Sequence, residues 1–259
     1  MTGLAFVAAL VLAGVHLVAA RLRFLEGVPR SRWLSGAGGV SVAYVFVHLM
    51  PELAEGQAAA SARSGGLFGM FEHEVYLLAL AGLLVFYGAE RLAKQSGGLH
   101  RGEGEAAGGD DAPSGAAAAS GNGTAGGAAF WVHLGSFALY NAIIGYLLVH
   151  REEPGALGLA VFAVAMALHF VVTDYGLRTD YQRSWERVGR WVLVASVLAG
   201  WALGAAFEVS ELAIAGITAF LGGGVVLNVL KEELPEERKS RFSALLLGAV
   251  AYAGLLLLL

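Results

Sequence analysis

Eight apolar runs of membrane-crossing length, approximately 3–20, 34–51, 74–93, 129–149, 155–177, 189–207, 209–230 and 242–259, constrain this chain more than any motif in it. A bilayer core about 30 Å thick takes roughly 20 apolar residues as helix, and each run comes close to that length with few interior charges. The wider composition agrees: 57% of residues are hydrophobic, 15% are charged, and the mean hydropathy is +0.64, beyond what a soluble core needs. Barrel strands would alternate over about ten residues, whereas these runs are long and rich in Leu, Ala, Val and Gly. The expectation is an all-α integral membrane protein of eight transmembrane helices. Val18-Ala19-Ala20 resembles a signal cleavage site, but Met1-Thr2-Gly3 has no basic residue and Arg21 and Arg23 follow the apolar run, so the first run reads as a helix. Cysteine is absent, which removes disulfides and thiolate metal sites from consideration.

The connections divide sharply by charge. Fifteen of the 17 Lys and Arg residues fall between runs 1 and 2, 3 and 4, 5 and 6, or 7 and 8, and only Arg63 and Arg151 lie on the other side. Basic loops stay cytoplasmic, so both termini are expected outside the cytoplasm, in a plasma (inner) membrane. One connection is long: Gln95–Gly127 is dominated by Gly, Ala and Ser and reads as a disordered cytoplasmic linker. The chain therefore divides into helices 1–3 (residues 1–94), the linker (95–127) and helices 4–8 (128–259), within one membrane domain.

Two segments share a phrase. GGVSVAYVFVHLMPE (38–52) and GGGVVLNVLKEELPE (222–236) match at six of fifteen positions when Pro51 is set over Pro235. The second run crosses outward and the seventh inward, so similar sequence in opposite directions predicts an inverted repeat of helices 1–3 and 6–8. Biased composition can also produce such matches by chance. Helices 4 and 5 stand between the repeats, and they carry Tyr140, Asn141 and His169 near mid-membrane. Intramembrane His and Asn are costly to leave unpaired, so they mark either a polar site or an interhelical hydrogen bond. His169 and Thr173 share a helix face, with Asp174 about 100° away. His16 reads as a helix-packing residue and His48 as interfacial. Glu72-His73-Glu74 reads as a solvated helix start, and Glu208 and Glu211 as water-facing residues beside a tight turn.

With these features the chain resembles the ZIP (Zrt-, Irt-like) metal-ion transporters. HLMPE at His48–Glu52 and Leu234-Pro235-Glu236 are similar to phrases that end that family's second and seventh helices. The resemblance implies a 3+2+3 inverted-repeat bundle with outward termini and a cytoplasmic loop after helix 3. It also implies transport of a divalent transition metal, Zn²⁺ or a similar ion, by a divergent member. The family's helix 4 pattern is like HNxxDG and its helix 5 pattern like HExxH; here stand YNAIIG and HFVVTD. Asn141, Gly145 and His169 match, while Tyr140, Ile144 and Phe170 replace expected ligands. The candidate metal residues are Asn141, His169, Thr173 and Asp174, with the metal as cargo and no permanently bound cofactor. The alternative is a ZIP-fold protein that has lost metal transport, either a non-transporting component or a carrier of another solute. No helix carries HExxH and no phosphate-binding GxxxxGK[ST] occurs, so an enzyme is not expected. Partners are expected to be the bilayer and the metal, without nucleic acid. The glycines at 222–224 suggest a homodimer contact.

Overall fold

A computed structural model describes residues 2–19, 32–62, 73–106, 122–150, 155–233 and 241–257, nearly all of them helical and, among those residues, without a strand. We label the helices α1 (Thr2–Val18), α2 (Arg32–Ser61), α3 (Glu74–Ala106), α4 (Asn122–His150), α5 (Ala156–Ser184), α6 (Arg190–Ala206), α7 (Glu211–Glu233) and α8 (Phe242–Leu257). Among the described residues five stretches are long and apolar enough to cross a membrane: Arg32–Ser61, Glu74–Leu92, Gly127–His150, Ala156–Ala206 and Glu211–Lys231; α1 and α8 are shorter apolar helices. Their outward faces carry exposed Val and Leu side chains, including Val7, Leu84, Leu247 and Val250. On so many helices such a surface is that of an all-α membrane protein turned toward lipid.

Three boundaries differ from the sequence-based expectation. The second helix does not stop at Pro51 but continues to Ser61 through a π turn at Val45–Leu49, where the Met50 N–H donates to the Val45 carbonyl. Pro51 has no N–H and its ring crowds the preceding turn; the widened turn absorbs the mismatch that would otherwise end the helix. The extension reaches α3, whose Val75 N–H donates to the Gln57 side-chain oxygen at 3.0 Å. The expected linker is also shorter, because α3 continues to Ala106 and α4 begins at Asn122. Extending an existing helix needs no new nucleus, so weak helix formers beside a long apolar span are carried along. Residues 107–121 lie outside the described residues, as does the phrase Leu234–Glu236.

The third difference is at the 51-residue stretch Ala156–Ala206, which would run about 76 Å if straight. It does not run straight. Tyr181 has non-helical angles (φ −135°, ψ 42°), a π turn follows at Trp185–Gly189, and Leu177 and Leu193 join one core cluster around the fully buried Trp185. The kink at Tyr181 and the π turn break the stretch there, and α5 and α6 are the helices on either side.

Six glycines set the closest helix contacts. On α2 and α8, a Cβ at Gly39 would strike the backbone of Leu245 and one at Gly248 the backbone of Gly36. On α3 and α7, Gly82 lies against the Phe220 backbone and Gly223 against that of Ala79. On α4 and α6, Gly145 meets Val197 and Gly200 meets Ala142 in the same way. Only glycine permits such approach, and in lipid, where burial of apolar surface does not drive association, close backbone packing is what holds helices together. The glycines 222–224, expected at a dimer contact, are thus used inside the chain: Gly222 faces Leu49, Gly223 faces Ala79 and Gly224 faces Phe86. α1 completes one group by packing on α5 and α6, and the two groups meet where α3 touches α4 and α2 touches α5.

Candidate functional site

The four candidate metal residues do not converge. Asn141 and Asp174 are joined instead by His16, a residue sequence reasoning assigned to packing alone. The His16 Nδ1 lies 2.8 Å from Asp174 Oδ2, and Nε2 lies 2.8 Å from Asn141 Oδ1. All three are buried, His16 completely. The Asn141 amide orientation follows from its other end, since Nδ2 donates to the Phe137 carbonyl at 2.7 Å. Its Oδ1 can only accept, so His16 Nε2–H is the donor. One further proton then sits between Nδ1 and the carboxylate; on either atom it leaves the pair without net charge, which a dry interior requires. The Phe170 ring, 4.7 Å from the imidazole and nearly parallel to it, closes the site. This group is a clamp holding α1 to α4 and α5.

Thr173 is also occupied. Its hydroxyl donates back to the carbonyls of His169 and Phe170, each at 3.2 Å. His169 faces the other way, with its ring centroid 5.5 Å from that of Tyr140. Among the described residues His169 Nε2 and the Tyr140 hydroxyl have no hydrogen-bond partner, although both residues are buried. An unsatisfied buried polar atom costs about 1–3 kcal/mol, so two side by side in an otherwise well-packed bundle need a reason.

The reason lies in what flanks them. One small cavity, about 30 Å³, is lined by Glu90, His133, Ser136, Tyr140, Thr173, Asp180, Asn228 and Lys231. A second, about 20 Å³, is lined by Tyr44, His48, Glu52, Leu147, Phe162, Met166, Thr218 and Val225. Both draw on α4, α5 and α7. On α5 the lining runs Phe162, Met166, Thr173 and Asp180, with His169 in the gap; on α4 it runs His133, Tyr140 and Leu147, with Ile144 in the gap; on α7 it runs Leu221, Val225, Asn228 and Lys231. Steps of three and four residues keep each set on one helix face. The two cavities are therefore the ends of one seam, interrupted by a layer containing Tyr140, Ile144, Met166 and His169. Glu90 and Lys231 form an ion pair at 2.7 Å beside one end, and His48 and Glu52 lie 3.9 Å apart beside the other.

Sequence reasoning found His169 and Asn141 but misjudged their relation. Tyr140 and Asn141 are neighbours in the chain, so they point about 100° apart on α4, and Asn141 faces away from the seam. Among the described residues no three His, Cys, Asp or Glu side chains are grouped to hold a metal ion. Comparison with family models, curated proteins and solved structures gave no match for this chain. Fold and site define an all-α membrane protein with a polar seam through its helix bundle, and anything narrower is inference from that geometry.

Proposed function

We propose that the protein is a membrane transporter of ZIP-like architecture that moves a divalent transition metal, Zn²⁺ or a similar ion, along this seam. The observation that carries the reading is a histidine at each level of it: His48 in one cavity, His169 in the layer between, His133 in the other. Carboxylates accompany the outer two, Glu52 with His48, and Glu90 and Asp180 with His133. Imidazole suits Zn²⁺ and its neighbours, whereas Mg²⁺ or Ca²⁺ would want oxygen throughout.

The reading includes eight spans and an inverted duplication. What supports the duplication is that repeat-related residues make equivalent contacts. Setting Pro51 over Pro235 pairs Gly39 with Gly223. Gly39 meets Leu245 and Ala249 on α8, and Gly223 meets Ala79 and Leu83 on α3, at the same spacing of four. The partner glycines agree as well, because Gly248 meets Gly36 and Gly82 meets Phe220, each three residues before its repeat glycine. VLAGVHLVAA (11–20) and VLAGWALGAA (197–206) match at seven of ten positions, which extends the pairing to α1 and α6. The basic connections then put the Lys231 cavity on the cytoplasmic side and the Glu52 cavity outside.

Purified protein in liposomes loaded with a metal-responsive dye tests the cargo. Zn²⁺ or Cd²⁺ entry above empty liposomes, lost in His169→Ala, is the expected result. The middle layer has no carboxylate to balance a dehydrated cation, which favours a second reading, carriage of another polar solute by the same seam; Zn²⁺ flux no greater than in empty liposomes would select it. Orientation is checked by single cysteines at Ser61 and Ser114. Ser61→Cys should label from outside with an impermeant maleimide, and Ser114→Cys only after permeabilisation.

A further inference from the structure

We propose that Tyr140, together with Phe86, is the gate that closes the seam toward the Lys231 cavity. Both rings line that cavity, and they meet edge to face, with centroids 5.8 Å apart and planes at 81°. Tyr140 is buried, and its ring centroid lies 5.5 Å from that of His169. Whatever passes between the Lys231 cavity and His169 must displace this pair.

Two features fit a moving part. Phe86 is seated in a notch made by Gly224, where a Cβ would come within 2.6 Å of its ring. A glycine there leaves a smooth backbone surface over which a ring can slide. The Tyr140 hydroxyl has no hydrogen-bond partner among the described residues, so rotating the side chain breaks no hydrogen bond, and the moving side chain meets only van der Waals contact. Tyr140 lines a cavity with Ser136, Thr173 and Asn228 also on its wall, groups that can accept from or donate to its hydroxyl once the ring turns. Ile144, one turn further along α4, is fully buried and lies beyond the gate.

This inference rests on the transport reading, but access to Ile144 can be measured without any cargo. The chain has no native cysteine, so Ile144→Cys is a unique thiol. With a small hydrophilic methanethiosulfonate added from the Lys231 side of proteoliposomes, Ile144→Cys alone should react slowly. Adding Tyr140→Ala, or separately Phe86→Ala, should speed labelling by at least about tenfold, because reaction follows the population of the open state. Asn228→Cys, on the cavity wall outside the gate, should react quickly in all backgrounds, which also reports that each variant folds. Equal labelling of Ile144→Cys with and without the aromatic substitutions overturns the proposal. So does a rise of the same size from the Glu52 side, which would mean that the whole layer had loosened. Accelerated labelling from the Lys231 side alone would uphold the gate even if Zn²⁺ proved not to be the cargo.

Discussion

The two faces of the α4–α5 pair treat buried polar groups in opposite ways. Toward α1, His16, Asp174 and Asn141 form a chain in which both imidazole nitrogens and both ends of the amide are engaged. Toward α7, Tyr140 and His169 bury a hydroxyl and a ring nitrogen that have no partner among the described residues, and cavities lie to either side. Asp174 Oδ1 is left without a hydrogen-bond partner among the described residues, but every other polar side-chain atom named in that chain is engaged, which is not so one helix face away. Satisfied groups hold helices together, and the transport reading proposed above would give the unsatisfied pair in the seam a use. The neighbouring residues Tyr140 and Asn141 thus belong to different tasks.

The comparison is broken most directly at the clamp. Asp174→Ala should lower stability in detergent by about 3–5 kcal/mol, the usual cost of removing one member of a buried pair; His16→Ala/Asp174→Ala should cost less than the sum of the single changes. A loss under about 1 kcal/mol, nearer the average interhelical hydrogen bond in membranes, would make the clamp an ordinary packing contact. Behind it, Gly200→Ala must push α6 off the Ala142 backbone and should cost about 1–3 kcal/mol. Gly135→Ala, on an exposed stretch of the same α4 with nothing near its Cβ position, should be neutral or gain up to about 1 kcal/mol from helix propensity.

In the seam the sign should reverse. His169→Leu replaces an unpartnered polar group by an apolar one of similar size and should leave thermal stability unchanged or raise it by about 1 kcal/mol, while metal flux in liposomes is lost. A clear destabilisation would mean that His169 is a structural residue and that the contrast between the faces is false. Tyr140→Phe should act in the same direction. Deleting a buried hydroxyl that has no partner among the described residues should raise stability by about 1 kcal/mol, the low end of the cost of an unsatisfied buried group, and equilibrium unfolding in detergent would measure it.

Much of this architecture was legible beforehand because lipid imposes a simple rule: backbone groups must be satisfied within the segment. The apolar runs at 74–93 and 129–149 each lie within a helix of the structure, and those at 155–177 and 209–230 overrun the start of one by one and two residues. Pro51 misled the reading of α2, since proline ordinarily ends a helix and only a local π turn lets this one continue. At the candidate site, His169 and Asn141 were visible as polar residues in apolar runs. His16 was legible as a helix-packing residue but its partners were not, because they lie 125 and 158 positions away and no local pattern encodes which helix a side chain will meet.

The sequence by itself determined a helical membrane protein with polar residues inside two of its apolar runs, because hydropathy and helical period are properties of short segments. Which of those residues meet was decided only by tertiary structure. Gly39, Gly82, Gly145, Gly200, Gly223 and Gly248 let backbones approach to contact, and that approach sets the rotation of every helix about its axis. A rotation of about 100° is the angle between adjacent residues, and it is what sends Asn141 to the clamp and Tyr140 to the seam.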